Sequence, residues 1–285
     1  MRVYNPYAGW VVFPDRPSRI VSLCPSVTET LFMVGAGDRV VGVSSWCHRP
    51  REALAKPKVG SYTEVVEERL SNLKPELIIT TTGAQKEAFE KLLSHGYPTY
   101  PIPLPKTVYD ILSMVLEVGG LVGELDAALN LCDKLSQSLD SLRSLKRDGK
   151  LPRVYVEIDL GGPTIPGYLN HITSALHLAG VANVFADAPT PYLYGMKVEG
   201  YDVLDVMSEV AGRNPDVIVY ESKSFNPSRD EGLNVMVEKG LNNLAAVRNG
   251  RVLTLPADTL AHYGPSFLIE AVKVCEQIWE IFQKT

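Results

Sequence analysis

Short apolar runs alternate with amphipathic stretches along most of this chain. Arg19-Ile20-Val21-Ser22-Leu23 reads as a strand buried on both faces. Cys24-Pro25-Ser26 reads as a turn, and Thr28 with Glu29 as the opening of a helix that ends at Gly35-Ala36-Gly37. Residues 39–43 and 58–60 follow as strands. A helix over 66–73 leads into a strand over 76–80. A helix over 85–94 ends near Gly96, and 99–103 is the next strand. Strands alternating with helices predict a parallel sheet with helices on its faces.

The same order recurs. Residues 153–158 mirror the strand at Arg19, and 171–179 give the following helix. Val184-Phe185 is the next strand, 204–211 a helix, 217–220 a strand, and 250–255 the closing strand. One phrase marks the duplication. Leu73-Lys74-Pro75-Glu76-Leu77-Ile78-Ile79 returns as Arg213-Asn214-Pro215-Asp216-Val217-Ile218-Val219. Proline cannot continue a helix, and the β-branched run after it prefers a buried strand. Two copies predict two lobes and a ligand cleft between them.

Between the copies, Leu125, Ala128, Leu129, Cys132, Leu135, Leu139 and Leu142 form one apolar stripe at spacings of three and four. A helix over 124–146 is about 35 Å long. The expected organisation is therefore α/β in two lobes, each a mostly parallel sheet flanked by helices and joined by one long backbone helix. The N-terminal lobe spans 1–106, the linking helices 107–149 and the C-terminal lobe 150–285. A single helical connection predicts little opening and closing.

The net charge is −5 and the sequence pI about 5.6, with no basic stripe, so nucleic acid is not an expected partner. The greasiest region, 108–123, is broken by Asp110, Glu117 and three glycines and does not read as a membrane span. The start, Met1-Arg2-Val3-Tyr4-Asn5-Pro6, carries no signal-peptide pattern. A cytoplasmic protein, as the chain is written, and a mature form without its leader both remain open. Cys24, Cys47, Cys132 and Cys275 match no zinc or disulfide spacing. No phosphate loop, nucleophile elbow or catalytic triad order is present.

These blocks carry a resemblance. Residues 19–43 (RIVSLCPSVTETLFMVGAGDRVVGV), 60–79 and 250–265 look like the helical-backbone substrate-binding proteins of ABC importers for cobalamin, haem and ferric siderophores. The Ser44-Ser45-Trp46 turn with Pro50 is most similar to the cobalamin-binding members. The resemblance implies two α/β lobes on one long helix and one large ligand in the cleft. It also implies docking on a permease through one acidic residue per lobe, usually outside the cytoplasm. Glu68, seven residues before Pro75, matches the first docking acid. The second falls at Ser208, with Glu209 beside it. Some relatives have a disulfide where this chain has Cys275 and Ala179.

Ligands of open parallel sheets sit outside the carboxyl ends of the strands. Candidate ligand contacts there are Pro25, Ser26, Ser45, Trp46, Cys47, His48 and Tyr62 in the first lobe. In the second they are Tyr168, Tyr192, Tyr194, Asp258 and His262. Aromatic rings suit a large flat ligand. Asp258 matches a cleft acid of the cobalamin binders and equally suits a turn that caps the next helix. His48 and His262 could reach a metal carried by the ligand, but no bare-ion site is expected. His95 reads as a helix cap, and His171 and His177 as helix residues without special role. The expected protein is a monomeric, non-enzymatic holder of cobalamin or another metal-tetrapyrrole or ferric chelate, without covalent cofactor, and serves an ABC permease. The alternatives are an intracellular chelatase-like corrinoid-processing enzyme and a corrinoid sensor.

Overall fold

The structure, a computed structural model, describes residues 1–194 and 206–284. It is α/β throughout. The chain forms two compact units, Met1–Pro105 with Tyr109–Leu135, and Lys106–Val108 with Ser136–Thr285.

The first unit opens with a hairpin that the apolar pattern did not announce, β1 (Arg2–Asn5) and β2 (Gly9–Val12). Asn5 makes its turn, accepting N–H groups of Tyr7 and Ala8, and donates to Pro101 O at 2.9 Å. Then come β3 (Ile20–Ser22), α1 (Pro25–Met33), β4 (Val40–Ser44), β5 (Lys58–Gly60), α2 (Glu67–Leu73), β6 (Leu77–Thr81), α3 (Lys86–Ser94) and β7 (Thr99–Ile102). The helix α1 starts three residues before the expected point. Proline at the first helical position has a suitable fixed φ and lacks only an N–H that would be unbonded anyway. The five strands β3–β7 are all parallel, in the order β5-β4-β3-β6-β7. Val21, Leu23, Val59, Leu70, Ile78 and Leu92 pack one face of that sheet.

The pair α4 (Val108–Leu121) and α5 (Leu125–Ser144) follows. Residues of α5 up to Leu135 group with the first unit and those from Ser136 with the second. Its 20 residues span about 30 Å. The buried stripe is Ala128, Leu131, Cys132, Leu135, Leu139 and Leu142, whereas Leu125 and Leu129 lie exposed. The expected stripe was thus one column too wide. Gly119 lets the two helices touch, because a Cβ there would come within 2.3 Å of Ala128 Cβ.

The second unit contains β8 (Arg153–Asp159), β9 (Pro163–Pro166), α6 (His171–Leu178), β10 (Ala182–Asn183), β11 (Tyr192–Tyr194), α7 (Val206–Arg213), β12 (Val217–Glu221), α8 (Glu231–Glu238), α9 (Ala245–Arg248), β13 (Val252–Leu255) and α10 (Pro265–Gln283). Strands β10-β8-β12-β13 repeat the wiring of β4-β3-β6-β7. The strand placed at Val184-Phe185 is instead β10, two residues earlier. Phe185 leaves the sheet to pack on Tyr155, with the Arg213 guanidinium 4.5 Å from its ring centre. The sheet is mixed, because β9 and β11 add an antiparallel ribbon beside β8. Residues 204 and 205 of the expected helix lie outside the described residues; the rest is α7. Glu157, buried in β8, accepts the Tyr155 hydroxyl at 2.6 Å and is paired with Lys239.

The duplicated phrase has one geometry in both units. Lys74 (φ 46) and Asn214 (φ 43) take the left-handed conformation that ends a helix. The acid after each proline then clasps the start of the neighbouring strand. Glu76 Oε2 accepts Ser18 N at 2.6 Å and Arg19 N at 3.3 Å, and Asp216 Oδ2 accepts Arg153 N at 3.0 Å. Their own N–H groups donate to Arg19 O and Arg153 O. The bonds to Ser18 and Arg19 hold the Glu76 carboxyl below the usual range, so that stabilisation is present above its ordinary value and fades as acid protonates it. Replacing Glu76 or Asp216 with alanine should each cost about 1 kcal/mol in urea denaturation at pH 7. The Glu76→Ala loss should shrink toward pH 3; an unchanged midpoint for both variants would refute the clasp.

Candidate functional site

In the first unit the chain runs β3, β4, β5 to one side and then returns to place β6 on the other side of β3. That reversal opens a crevice at the carboxyl ends of β3 and β6, where a ligand of such a sheet binds. Pro25 and Ser26 begin α1 there. Ser45, Trp46, Cys47 and His48 follow β4, and Tyr62 follows β5. All seven candidates therefore share one sheet edge.

Their side chains divide by burial. Trp46 is 60% exposed, and His48 and Tyr62 are half-buried. Ser45 is exposed, but its hydroxyl donates back to Gly60 O at 2.8 Å. Cys47 turns inward. Its thiol is fully buried, 3.0 Å from Thr28 Oγ1 and 3.2 Å from Ser44 Oγ, and burial pushes it up to about 11. It is therefore a neutral packing group that braces the Trp46 turn. Ser26, also buried, lies 3.0 Å from Cys24 Sγ.

Gln85, absent from the sequence-based set, organises this edge. Its Nε2 donates to Leu23 O and Tyr62 O at 2.9 and 2.7 Å, and its Oε1 accepts Thr81 N at 2.8 Å. One buried amide so joins the ends of β3 and β6 to the Tyr62 loop. Tyr62 OH in turn lies 3.3 Å from Thr81 Oγ1.

The second unit reverses between β8 and β12. Two exposed apolar residues stand in the loops there, Leu160 (61%) and Phe225 (57%). The sequence places Leu160 at this edge; Phe225 was not foreseen, although an aromatic inside the polar run Ser222–Arg229 is a legible signal. The ribbon corrects the expected positions of the tyrosines. Pairing of Asp159 with Pro163 makes β9 run back along β8, so Tyr168 follows the end of β9 remote from this edge. Tyr192 pairs with Pro166, and Tyr194 with Thr164 nearer the edge. The side chain of Tyr194 lies outside the described residues.

Asp258 and His262 come together in the loop after β13, with His262 Nδ1 3.7 Å from Asp258 Oδ2. Asp258 is partly exposed and takes a left-handed φ of 64. His262 is 2% exposed. Beneath the loop, Glu221 at the end of β12 accepts the N–H groups of Asp258, Leu260 and Ala261. Burial raises its carboxyl to about 7; the Asp258 charge adds to that rise, and the three backbone bonds oppose it. His171 also has a role here. Its Nε2 bonds Leu260 O at 3.0 Å, its ring meets Phe267 edge-on, and burial lowers it to about 4. Among the described residues no group of three or more His, Cys, Asp or Glu could hold a metal ion.

Away from these edges, a groove of about 370 Å³ lies between α2 and α3, where His95 Nδ1 and Glu67 Oε1 are 2.8 Å apart. His95 follows the last turn of α3, as a cap would. Glu68 is exposed in the first turn of α2. Glu209, in α7, pairs with Arg213 at 3.3 Å. At the Cys275 position no disulfide forms; the neighbouring Trp279 donates its indole N–H to Ala179 O at 2.9 Å.

Glu221 and His171 act oppositely on stability. A raised carboxyl contributes stability fully below its unfolded value of about 4.5 and loses it as pH rises through about 7. A lowered histidine contributes above about 6.5 and loses that as pH falls through about 4. In Glu221→Gln only the second slope remains. The stability of wild type minus variant should therefore grow by about 3 kcal/mol from pH 8 to pH 4.5 in denaturant titrations. A difference independent of pH would show that Glu221 does not titrate in this range.

The sequence pattern of the family described as periplasmic binding protein matches residues 20–259. The vitamin B12-binding protein of Vibrio parahaemolyticus is 25% identical over 267 residues, covering 93% of this chain and 91% of that one. The solved structure of the periplasmic vitamin B12-binding protein BtuF of Vibrio cholerae superposes with a TM-score of 0.76 at 26% identity, covering 95% of this chain and 100% of its own. The apo periplasmic haem-binding protein RhuT from Roseiflexus sp. RS-1 shares the fold, with a TM-score of 0.75, 22% identity and coverage of 93% and 99%.

Proposed function

Because the chain belongs to the periplasmic binding protein family, we propose that it is the binding component of an ABC-type importer and that its cargo is a corrinoid of the cobalamin type. The observation that carries this reading is the reach of the similarity: likeness to vitamin B12-binding proteins runs through more than nine-tenths of both chains. The edge chemistry supports it. Each unit brings apolar groups to its own edge, Trp46 and Tyr62 in the first and Leu160 and Phe225 in the second, and a macrocycle needs contact of that kind. Ser45 and His48 at the first edge, and Asp258 at the second, supply polar groups for amide side arms. His262, buried under its loop, acts through Asp258 and not on a metal.

Binding without turnover is the role in this reading, since the curated relatives are named as binding proteins. Docking on a permease falls to Glu68, which is exposed in the first turn of α2. Glu209 contributes less, because Arg213 already answers its charge.

The test is titration of the purified protein with cyanocobalamin, haemin and ferric ferrichrome, read by absorption and melting temperature. Cyanocobalamin should bind one to one and raise the melting temperature by several degrees at a hundredfold excess over Kd, where the linkage is about 2.7 kcal/mol. No response to cyanocobalamin with a clean response to haemin or the siderophore would replace the corrinoid with that ligand. No response to any of the three would sink the reading. Trp46→Ala should weaken cyanocobalamin binding about tenfold and leave the ligand-free melting temperature unchanged, since the ring is largely in water already. Glu68→Lys should abolish importer-dependent uptake into vesicles while binding stays intact.

A further inference from the structure

The carboxylate of Glu221 is 1% exposed, yet nothing in the fold of its sheet requires a charge there. Its register neighbours are Ile158 in β8 and Leu255 in β13, both apolar. A buried carboxylate is costly unless its hydrogen bonds repay desolvation. All three of its backbone donors come from a single loop, at Asp258, Leu260 and Ala261. That loop follows β13, holds Asp258 in a left-handed conformation and turns its side chain partly to solvent.

We propose that Glu221 is a positioning residue for the ligand, and that its negative charge folds the 258–262 loop into the shape that presents Asp258 to the cargo. This rests on the corrinoid-binding reading and adds a residue that does not itself touch the ligand. Ionised Glu221 has two acceptor oxygens for three N–H groups. Protonation puts a hydrogen on one of those oxygens, facing a donor, and the loop loses part of its hold. The titratable groups around the loop are Asp258, His262 beside it, His171 on Leu260 O, Tyr263 against His171, and Glu231 on the adjacent Ser222. Asp159 ends the neighbouring strand. Among these, the Asp258 charge opposes ionisation of Glu221. A ligand amide that donates to Asp258 relieves that opposition, so binding and ionisation of Glu221 favour each other. Since the carboxyl sits near pH 7, affinity for such a ligand should fall on mild acidification.

The experiment has two arms. In the first, cyanocobalamin affinity is measured from pH 5.5 to 8.5 for wild type, Glu221→Gln and Glu221→Asp. Wild-type affinity should drop about tenfold from pH 8 to pH 6. Glu221→Gln should bind about tenfold more weakly at pH 8 and show no slope in that range, and Glu221→Asp should recover part of both. In the second arm, hydrogen exchange of ligand-free protein is followed at pH 8. Amides of the 256–264 peptide should exchange about tenfold faster in Glu221→Gln, with the 153–159 peptide unchanged. Loss of protection without change in affinity or its pH profile would overturn the proposal, leaving Glu221 a local structural group. Unchanged protection would overturn it as well. Failure of wild type to bind cyanocobalamin at every pH would overturn the corrinoid reading instead, and the exchange arm would still judge the hold on the loop. Should Glu221→Gln not fold, the same measurements on Glu221→Asp decide, with a shifted pH midpoint expected and an unshifted one overturning.

Discussion

In each unit one carboxylate, placed directly after a helix-ending proline, fixes the level at which two parallel strands start. Glu76 bonds Ser18 and Arg19, and Asp216 bonds Arg153. Parallel strands lack the short hairpin that sets register in antiparallel pairs, so something else must set it. Here the clasp aligns Ile20 with Leu77 and Val154 with Val217. A slip of one residue would turn every apolar side chain of these strands to the wrong face. With the starts aligned, the loops that carry Trp46 and Tyr62 leave from a defined edge of the first sheet, and those that carry Leu160, Phe225 and Asp258 from a defined edge of the second. Function in this protein begins from that alignment.

The two units then solve one problem with different chemistry. A loop at the carboxyl edge exposes backbone groups that must be satisfied while side chains face a ligand. Glu221 stands 140 residues after Thr81, the interval that also separates Pro215 from Pro75. In the first unit Thr81 hands the task to the Gln85 amide, which both donates and accepts and carries no charge. In the second unit the strand itself ends in a carboxylate that only accepts. The first edge is thereby held by groups that do not titrate, and the second by one that does.

Family membership and the edge chemistry bear on function from independent sides. The family assigns a binding role to a fold of this kind. The side chains at the two sheet edges are exposed rings and aliphatic groups, with hydroxyls and an imidazole at the first edge and a partly exposed acid at the second. The buried Cys47 thiol of the first edge, and His171 of α6 behind the second, serve as braces. Burial pushes Cys47 up and His171 down, and each is neutral as a result.

Much of the fold was legible because hydrophobic period and proline placement are local properties. The duplicated phrase, the strands of the first sheet, α5 and the closing strand could be read from apolar runs and helix breakers alone. The β9–β11 ribbon could not, because Pro163 and Pro166 mask it and antiparallel pairing depends on contacts 26 to 30 residues apart. The same holds for the site. Sequence placed Trp46, His48, Tyr62 and Asp258 in edge loops, since a residue just after a buried strand has nowhere else to go. It did not distinguish Cys47, which faces inward, from Trp46, which faces water, or show that Tyr168 is carried away by a reversed strand. Nor did it mark Gln85 and Glu221, whose partners are loops up to 62 residues distant. The order of elements was decided by the chain itself, through periodicity and breakers; which side chains hold the loops and which meet the ligand was decided by burial and hydrogen bonding that exist only once the sheet has closed.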